Sequence, residues 1–540
     1  MSGNELDFHA PGPGVWEFDR AHQLRPATRL GAEILSPTIA EGMRSCFERY
    51  GLPLSHFDAV FVHGWCYLTP RVFGAPESAG GPPPAIVLKA LTRLVPKMRR
   101  RWRSALDAER EQRWLTDAAT WEAERSWWID RNLEFQDVDL AAASDAELAA
   151  HVEQVVRHAE HGMRRHFELL GPAVGVGLLL DAADRWGLVP RDVLDLLDGH
   201  SPASGQTPTL GRLADALAEA GVRPATLDGV RAASPEAADA LDAHLRLHGW
   251  WTTTDDIDGQ PLSASPTIVL RSILAALDRR AEPGQVHAHQ DVRSRVPATD
   301  RSRFDELLAG ARRCYATLDD NSGLTASWPY GLVGRALREA ADRLCRRGLA
   351  DAGEAVWTMS GDEVVSLILG AAGPTSAELA ERVDDRRHAA SVMPPSHLGG
   401  TPSPPPDPSV FPGAAARVTA AFMQFLGAKF GEPGAVTAVG AEPARGRAVV
   451  ALDAADALER LEPGDVLVTT FTTPAYNAIL PIAAAVVTTT GGPLCHTAVV
   501  ARELGLPAVV GMADAVDRIP DGALVEVDPV SVRVSVLPGP

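Results

Sequence analysis

The residues of this chain best suited to chemistry lie in one run, Thr488-Thr-Thr-Gly-Gly-Pro-Leu-Cys-His-Thr-Ala-Val-Val-Ala-Arg-Glu-Leu-Gly-Leu-Pro-Ala-Val-Val-Gly511. Its spacing predicts a strand that ends at a Gly491-Gly492 turn and delivers His496 to the start of a helix. Val499, Val500, Leu504 and Leu506 would face a sheet, and Gly505 would end the helix in a left-handed cap. A histidine so placed lies beside helix N–H groups that have no intrahelical partner, with the positive end of the helix dipole behind it. That setting keeps the imidazole neutral, hence nucleophilic, and stabilises negative charge added to it. A phosphoryl group is such a charge, and Thr497 is positioned to give it a further hydrogen bond. The bland reading of the same residues is a histidine that only caps its helix.

The elements around this run change character along the chain. Before residue 393 the sequence reads mostly helical: Ser144-Asp-Ala-Glu147, Ser360-Gly-Asp-Glu363 and Thr375-Ser-Ala-Glu378 are capping boxes, the first followed by Leu148, Val152, Val155, Ala159 and Met163 at helical spacing. All twelve tryptophans fall between Trp16 and Trp357, and Trp114, Trp121 and Trp128 share a helix face, which reads as core packing. Lys97-Met-Arg-Arg-Arg-Trp-Arg103 reads as a solvated face, as do His158, His161 and His166. From Met393 to Pro412 there are eight prolines and a Gly-Gly, the composition of an extended, partly stiff linker. Beyond it, short β-branched runs alternate with helical stretches and Gly/Pro/Asp turns, the pattern of a compact α/β unit.

Composition narrows the function classes. At ~150 residues per domain, 540 residues hold about three or four domains' worth of chain. Hydrophobic residues at 45% and charged residues at 22% exclude a wholly disordered or collagen-like protein. A net charge of −19 disfavours nucleic acid as a partner. No uncharged apolar run reaches the ~18 residues that span a bilayer, and the amino terminus lacks the pattern of a signal peptide. Five scattered cysteines without a CxxC pair argue against disulfides or structural zinc. The expectation is a cytoplasmic protein, with no membrane partner and no metal of its own.

The run around His496 resembles the phosphohistidine signature of phosphoenolpyruvate-utilising enzymes: Gly-Gly, three residues, His, small residues and an aliphatic pair, then Ala-Arg-Glu. Gly505-Leu-Pro-Ala-Val-Val-Gly511, Pro463-Gly-Asp-Val-Leu-Val468 and Thr472-Thr-Pro474 are similar to its flanking motifs, so the resemblance covers roughly Ala435 to Val536. Cys495 stands where serine is common, and Ser531 where a late glycine is usual. In the helical part, Val15-Trp-Glu-Phe-Asp-Arg-Ala-His22 with Arg25-Pro-Ala-Thr-Arg-Leu30 resembles the opening of the acceptor domain of rifampin phosphotransferases. The segment Gly334-Arg-Ala-Leu-Arg338 through Leu344, Gly348 and Glu363 resembles its closing helices. The resemblance implies a multidomain fold. A mostly α-helical, rifampin-binding-like substrate domain would span 1–392, a Pro-rich linker 393–412, and a small α/β phosphohistidine swivelling domain 413–540.

The same resemblance implies roles. His496 would be the catalytic carrier, with Thr497, Gly491, Gly492, Arg335 and Arg338 binding phosphate and His22 or His63 serving as general base. His287 and His289 have a spacing that could serve a metal but read as surface residues of a polar loop. The chain has neither a P-loop nor a GxGxxG after a strand, nor the pattern of an ATP-grasp domain. ATP and Mg²⁺ are therefore expected on a separate ATP-grasp-type subunit, and this chain would bind a hydroxylated small-molecule acceptor. The expected function is a phosphotransferase component. Its alternatives are an ATP-dependent dehydratase working through a phosphate ester, or a non-catalytic small-molecule-binding protein that keeps the carrier fold.

Overall fold

A computed structural model describes residues 6–20, 22, 25–76, 84–188, 190–197, 207–281, 289–349, 352–431, 435–451, 454–472, 476 and 479–538. The chain forms two compact units: Met1–Gly171 with Asp256–Gly259 and Leu324–Thr419, and Pro172–Asp255 with Gln260–Gly323 and Ala420–Pro540. This division differs from the one expected. Helices between Pro172 and Gly323 group with the carboxy-terminal sheet, and the stretch 393–412 belongs to the first unit.

In the first unit, β1 (Trp16–Phe18), α1 (Arg29–Tyr50), β2 (Leu54–Val62) and β3 (Trp65–Val72) come first. α2 (Arg113–Gln136), α3 (Asp145–Glu168), α4 (Trp328–Arg346) and β4 (His397–Leu398) follow. The strands form an antiparallel sheet in the order β2-β3-β1-β4. The β2–β3 hairpin turns on two residues, His63 at φ 50° and Gly64 at φ 81°, the paired left-handed geometry that matches strand twist. Trp16, Phe18, Trp65, Tyr67 and Leu398 make its core. The tryptophan stripe of α2 is core, as read: Trp114, Trp121 and Trp128 are buried.

Two expected solvated faces hold only in part: Lys97, Arg99, Arg100, Arg103 and His161 are exposed. Arg101 is buried, its guanidinium donating to the Leu52 carbonyl at 2.9 Å and the Leu54 carbonyl at 2.7 Å, so its charge is spent on backbone rather than water. His158 is also buried, its Nε2 2.8 Å from Asn132 Oδ1. The expected linker carries apolar side chains that a free tether would leave wet. Leu398 enters the sheet through β4, Asp407 caps a turn at Pro408–Val410, and Phe411 lies 5.5 Å from the Trp102 ring. Prolines rule out helix interior and central strand but not this edge pairing and burial.

The second unit packs helices such as Thr207–Ala220, Pro235–His248 and Pro266–Ala281 around a Leu/Ile/Val core. Its remaining elements are α5 (Gly413–Phe430) from Ala420 onward, β5 (Thr437–Val439), β6 (Ala444–Val450), β7 (Val466–Thr469), β8 (Ala485–Thr488), α6 (His496–Leu504), β9 (Ala508–Val510), β10 (Leu524–Asp528) and β11 (Arg533–Val536). The sheet runs β11-β10-β6-β7-β8-β9-β5, with β6 to β9 parallel and the outer pairings antiparallel. β7, β8 and β9 are buried at every residue, as the unbroken Val/Leu/Ala runs of central parallel strands require.

Cys46, Cys66, Cys314 and Cys495 are buried thiols, while Cys345 is exposed. Among the described residues one stretch, Asp145–Arg185, is long and apolar enough to cross a membrane by length and composition. Of its apolar window 67% is buried within the protein, as in a core helix.

Candidate active site

The site is built where two neighbouring parallel strands end. β7 and β8 run in register from Val466 opposite Ala485 to Thr469 opposite Thr488, so their carboxy-terminal loops emerge side by side. This is the edge at which open α/β sheets present their ligand-binding loops. Thr489 N–H donates to the Thr469 carbonyl (3.0 Å) and Thr490 N–H to the Thr470 carbonyl (2.9 Å), stapling the two loops together. The Thr490 hydroxyl adds a third bond to the Thr470 carbonyl at 3.0 Å. One loop then reaches Thr472 and the other turns through Gly491 and Gly492 into α6. There Thr472 Oγ1 lies 2.8 Å from His496 Nδ1 and 2.7 Å from Thr497 Oγ1.

The Gly-Gly turn is there for space. Gly491 has φ 123°, a conformation closed to other residues, and a Cβ on it would lie 2.8 Å from Cys495 Sγ. A Cβ on Gly492 would sit 2.5 Å from the Ala428 carbonyl oxygen and 2.7 Å from that of Gly427. This close approach lets the last-turn carbonyls of α5 take donors from the loop: Gly492 N–H to Lys429 O at 3.2 Å, Leu494 N–H to Ala428 O at 2.6 Å. On the far side, Arg502 donates to the Pro493 carbonyl at 2.8 Å. The loop is thereby pinned at both faces.

Cys495 is the N-cap of α6. Its sulfur accepts the Ala498 N–H at 3.4 Å, the capping bond that serine or threonine would make, so the departure from serine keeps the cap. Burial pushes its thiol pKa up, which keeps it neutral. α6 ends as read, with Gly505 in the left-handed region at φ 65°; Val499, Val500 and Leu506 are buried and Leu504 half-buried. His496 itself is half-buried. Its pKa is lowered to about 3, first by removal of water from around the ring and then by the positive charge of Lys429. The ring is therefore neutral at physiological pH, with Nδ1 engaged by Thr472: a nitrogen nucleophile held in one orientation at a helix N-terminus.

Residues 461–531 match the family model described as the PEP-utilising enzyme, mobile domain. Phosphoenolpyruvate synthase of Escherichia coli is 54% identical over 70 residues, 13% of this chain and 9% of that enzyme. Residues 461–531 are thus similar to the mobile domain of PEP-utilising enzymes. The likeness extends beyond the mobile domain. Rifampicin phosphotransferase of a Streptomyces species is 30% identical over 311 residues, 54% of this chain and 34% of its own length. An uncharacterised protein of Mycobacterium tuberculosis is 30% identical over 336 residues, 62% of this chain and 35% of its own. The aligned part is about a third of the length of each of these last two proteins.

The mobile domain and the segment before it bring together His496, Thr497, Gly491 and Gly492. The other expected site residues lie in the first unit, and each has a structural employment there. Arg335 donates to the carbonyls of Gln136 (2.9 Å) and Val138 (2.6 Å), closing the carboxy-terminal end of α2. Arg338 donates to the carbonyls of Asp258 (3.0 Å) and Gly259 (2.6 Å) and stacks over Trp357. His22 Nδ1 is 3.1 Å from the Asp19 carboxylate. His63 forms the hairpin turn with Nε2 2.9 Å from the Asp7 carbonyl. His287 lies outside the described residues, as do Thr473 and Pro474 of the Thr472 motif. Among the described residues no group of three or more His, Cys, Asp or Glu side chains is arranged to hold a metal.

Two residues of the site carried no role in the sequence reading. Thr472 sat in a matched motif, and its place just past a parallel strand next to the one that leads to His496 was the available signal. Lys429 lies before the matched segment, at the end of a helix whose seat against the Gly-Gly turn no spacing rule announces.

Proposed function

We propose that this chain carries a phosphoryl group on His496 between an ATP-binding partner subunit and a hydroxyl of a small-molecule acceptor. The observation that carries the reading is the neutral His496 ring at the start of α6, oriented through Nδ1 by Thr472 at 2.8 Å. With the Nδ1 proton donated to Thr472 Oγ1, the Nε2 lone pair attacks the phosphorus of a nucleotide phosphate. The N–P bond forms as the P–O bond breaks, and its electron pair leaves on the nucleotide oxygen. The acceptor hydroxyl then attacks the same phosphorus, the N–P pair returns to Nε2, and the hydroxyl proton passes to a base. ATP and Mg²⁺ belong to the partner in this reading. Phosphoryl transfer is supported by the mobile-domain match and by relatives named phosphoenolpyruvate synthase and rifampicin phosphotransferase.

The test needs no partner. Potassium phosphoramidate, a small phosphoryl donor, is expected to give an acid-labile phosphohistidine that mass spectrometry maps to His496 and ³¹P NMR identifies as the Nε2 isomer. His496→Ala is expected to lose it. Label that persists on H496A, or a wild-type chain that takes none, overturns the reading.

A further inference from the structure

We propose that Lys429 is the cation that stabilises the phosphoryl group on His496, an inference that rests on the phosphohistidine reading above. Lys429 occupies the last turn of α5, and its backbone is fixed against the Gly-Gly turn that leads to His496. Its carbonyl accepts the Gly492 N–H at 3.2 Å, while the preceding carbonyl of Ala428 accepts Leu494 N–H at 2.6 Å. The approach is so close that neither Gly427 O nor Ala428 O would clear a Cβ on Gly492. Three residues beyond that turn the loop becomes the N-cap of α6, so the root of the lysine and the root of the histidine belong to one hydrogen-bonded assembly. The ammonium also lies 5.6 Å from the Phe430 ring centroid, a cation–aromatic contact.

The field of that ammonium reaches the imidazole: among the described residues Lys429 is the charged side chain that, after burial, holds the ring's pKa down. The same charge has opposite effects on the successive states of the ring. It opposes a proton on the imidazole and is nearly indifferent to the neutral ring. A phosphoryl group on Nε2 brings up to two negative charges into the half-buried site, which the ammonium attracts. Attraction to that anionic group as it arrives on Nε2 favours the phosphorylated ring and the transition state that leads to it. The helix N-terminus supplies partial charge from one side, and Lys429 would supply a full charge from another element.

The test compares Lys429→Met with Lys429→Arg, neither of which alters the backbone bonds to Gly492 and Leu494. At pH 8 the imidazole is neutral in every variant, so protonation does not enter the rate. K429M is expected to lower the rate of phosphoramidate labelling of His496 by about tenfold or more, with K429R restoring most of it. In an NMR titration of the His496 ring, K429M should move the pKa upward and K429R should leave it near the wild-type value. A K429M chain that labels at the wild-type rate, or a K429R chain as slow as K429M, overturns the proposal. A wild-type chain that takes no label overturns the phosphohistidine reading instead, and the two failures are told apart by that control.

Discussion

At the scale of single residues, the site is a chain of small polar groups hung between two helix ends. His496 Nδ1, Thr472 Oγ1 and Thr497 Oγ1 follow one another at 2.8 and 2.7 Å. Thr472→Val removes the middle member without changing volume much. Loss of the orienting bond is expected to slow phosphoramidate labelling roughly tenfold, the scale of one hydrogen bond made to a group that must be held still, while Thr472→Ser should retain most of the rate. The pH profile follows from the ring's pKa of about 3. Because the folded pKa is depressed, the nucleophilic neutral form dominates at every pH well above 3. The labelling rate, corrected for the donor's own titration, should be flat from pH 5 to 8 rather than halving near 6.5 as for an ordinary histidine. His496 was legible because Gly-Gly, the helix entry and the closing Gly505 all point to one local structure. Its partners were less so. The contact with Thr472 depends on the register of β7 against β8, a long-range fact that neither loop states alone.

At the scale of elements, the most informative feature is close approach through glycine. Gly177, in the helix Ala173–Arg185, faces α5 so tightly that an added Cβ would fall on the Ala421 carbonyl. Gly177→Ala should therefore destabilise the second unit by about 1–3 kcal/mol through overpacking, although alanine is the better helix former. A urea unfolding curve of the second unit's signal would show the direction. In the first unit Trp121→Ala should cost about 3–5 kcal/mol, as truncation of a fully enclosed aromatic ring does. The spacing of Trp114, Trp121 and Trp128 made that stripe readable. The β2–β3 hairpin was missed inside a region read as helical, though Leu54–Val62 and Trp65–Val72 are rich in β-formers and only two residues apart. Its turn uses His63-Gly64 where Asn-Gly is the familiar signal. A histidine in the left-handed region is tolerated there because the hairpin core of Trp16, Phe18, Trp65 and Tyr67 specifies the register. Similarly, the proline count of 393–412 outweighed its few apolar side chains in the sequence, whereas in the fold Leu398, Val410 and Phe411 are what fix that stretch.

At the scale of the whole molecule, buried neutral histidines set the response to acid. His158 and His244 are held to about 3 and about 4 by burial. In each case the unfolded chain binds a proton near pH 6.5 that the folded chain refuses. Stability is then fully present above 6.5 and falls as pH drops toward the folded values, by up to about 1.4 kcal/mol per pH unit for each such histidine. Unfolding midpoints in urea should accordingly decline between pH 6.5 and 4.5, and His158→Asn or His244→Gln should flatten that decline. How the chain divides was the least legible property, since the grouping of Pro172–Asp255 and Gln260–Gly323 with the carboxy-terminal sheet rests on packing between segments far apart in sequence. One further consequence follows from the distribution of thiols. Four are sealed inside the fold and one, Cys345, faces solvent. A maleimide dye offered to the native, unmutated chain should thus attach at a single place, giving a fluorescent handle on the first unit without any cysteine engineering. Denaturant should release the remaining four, so that counting adducts by mass would report unfolding directly.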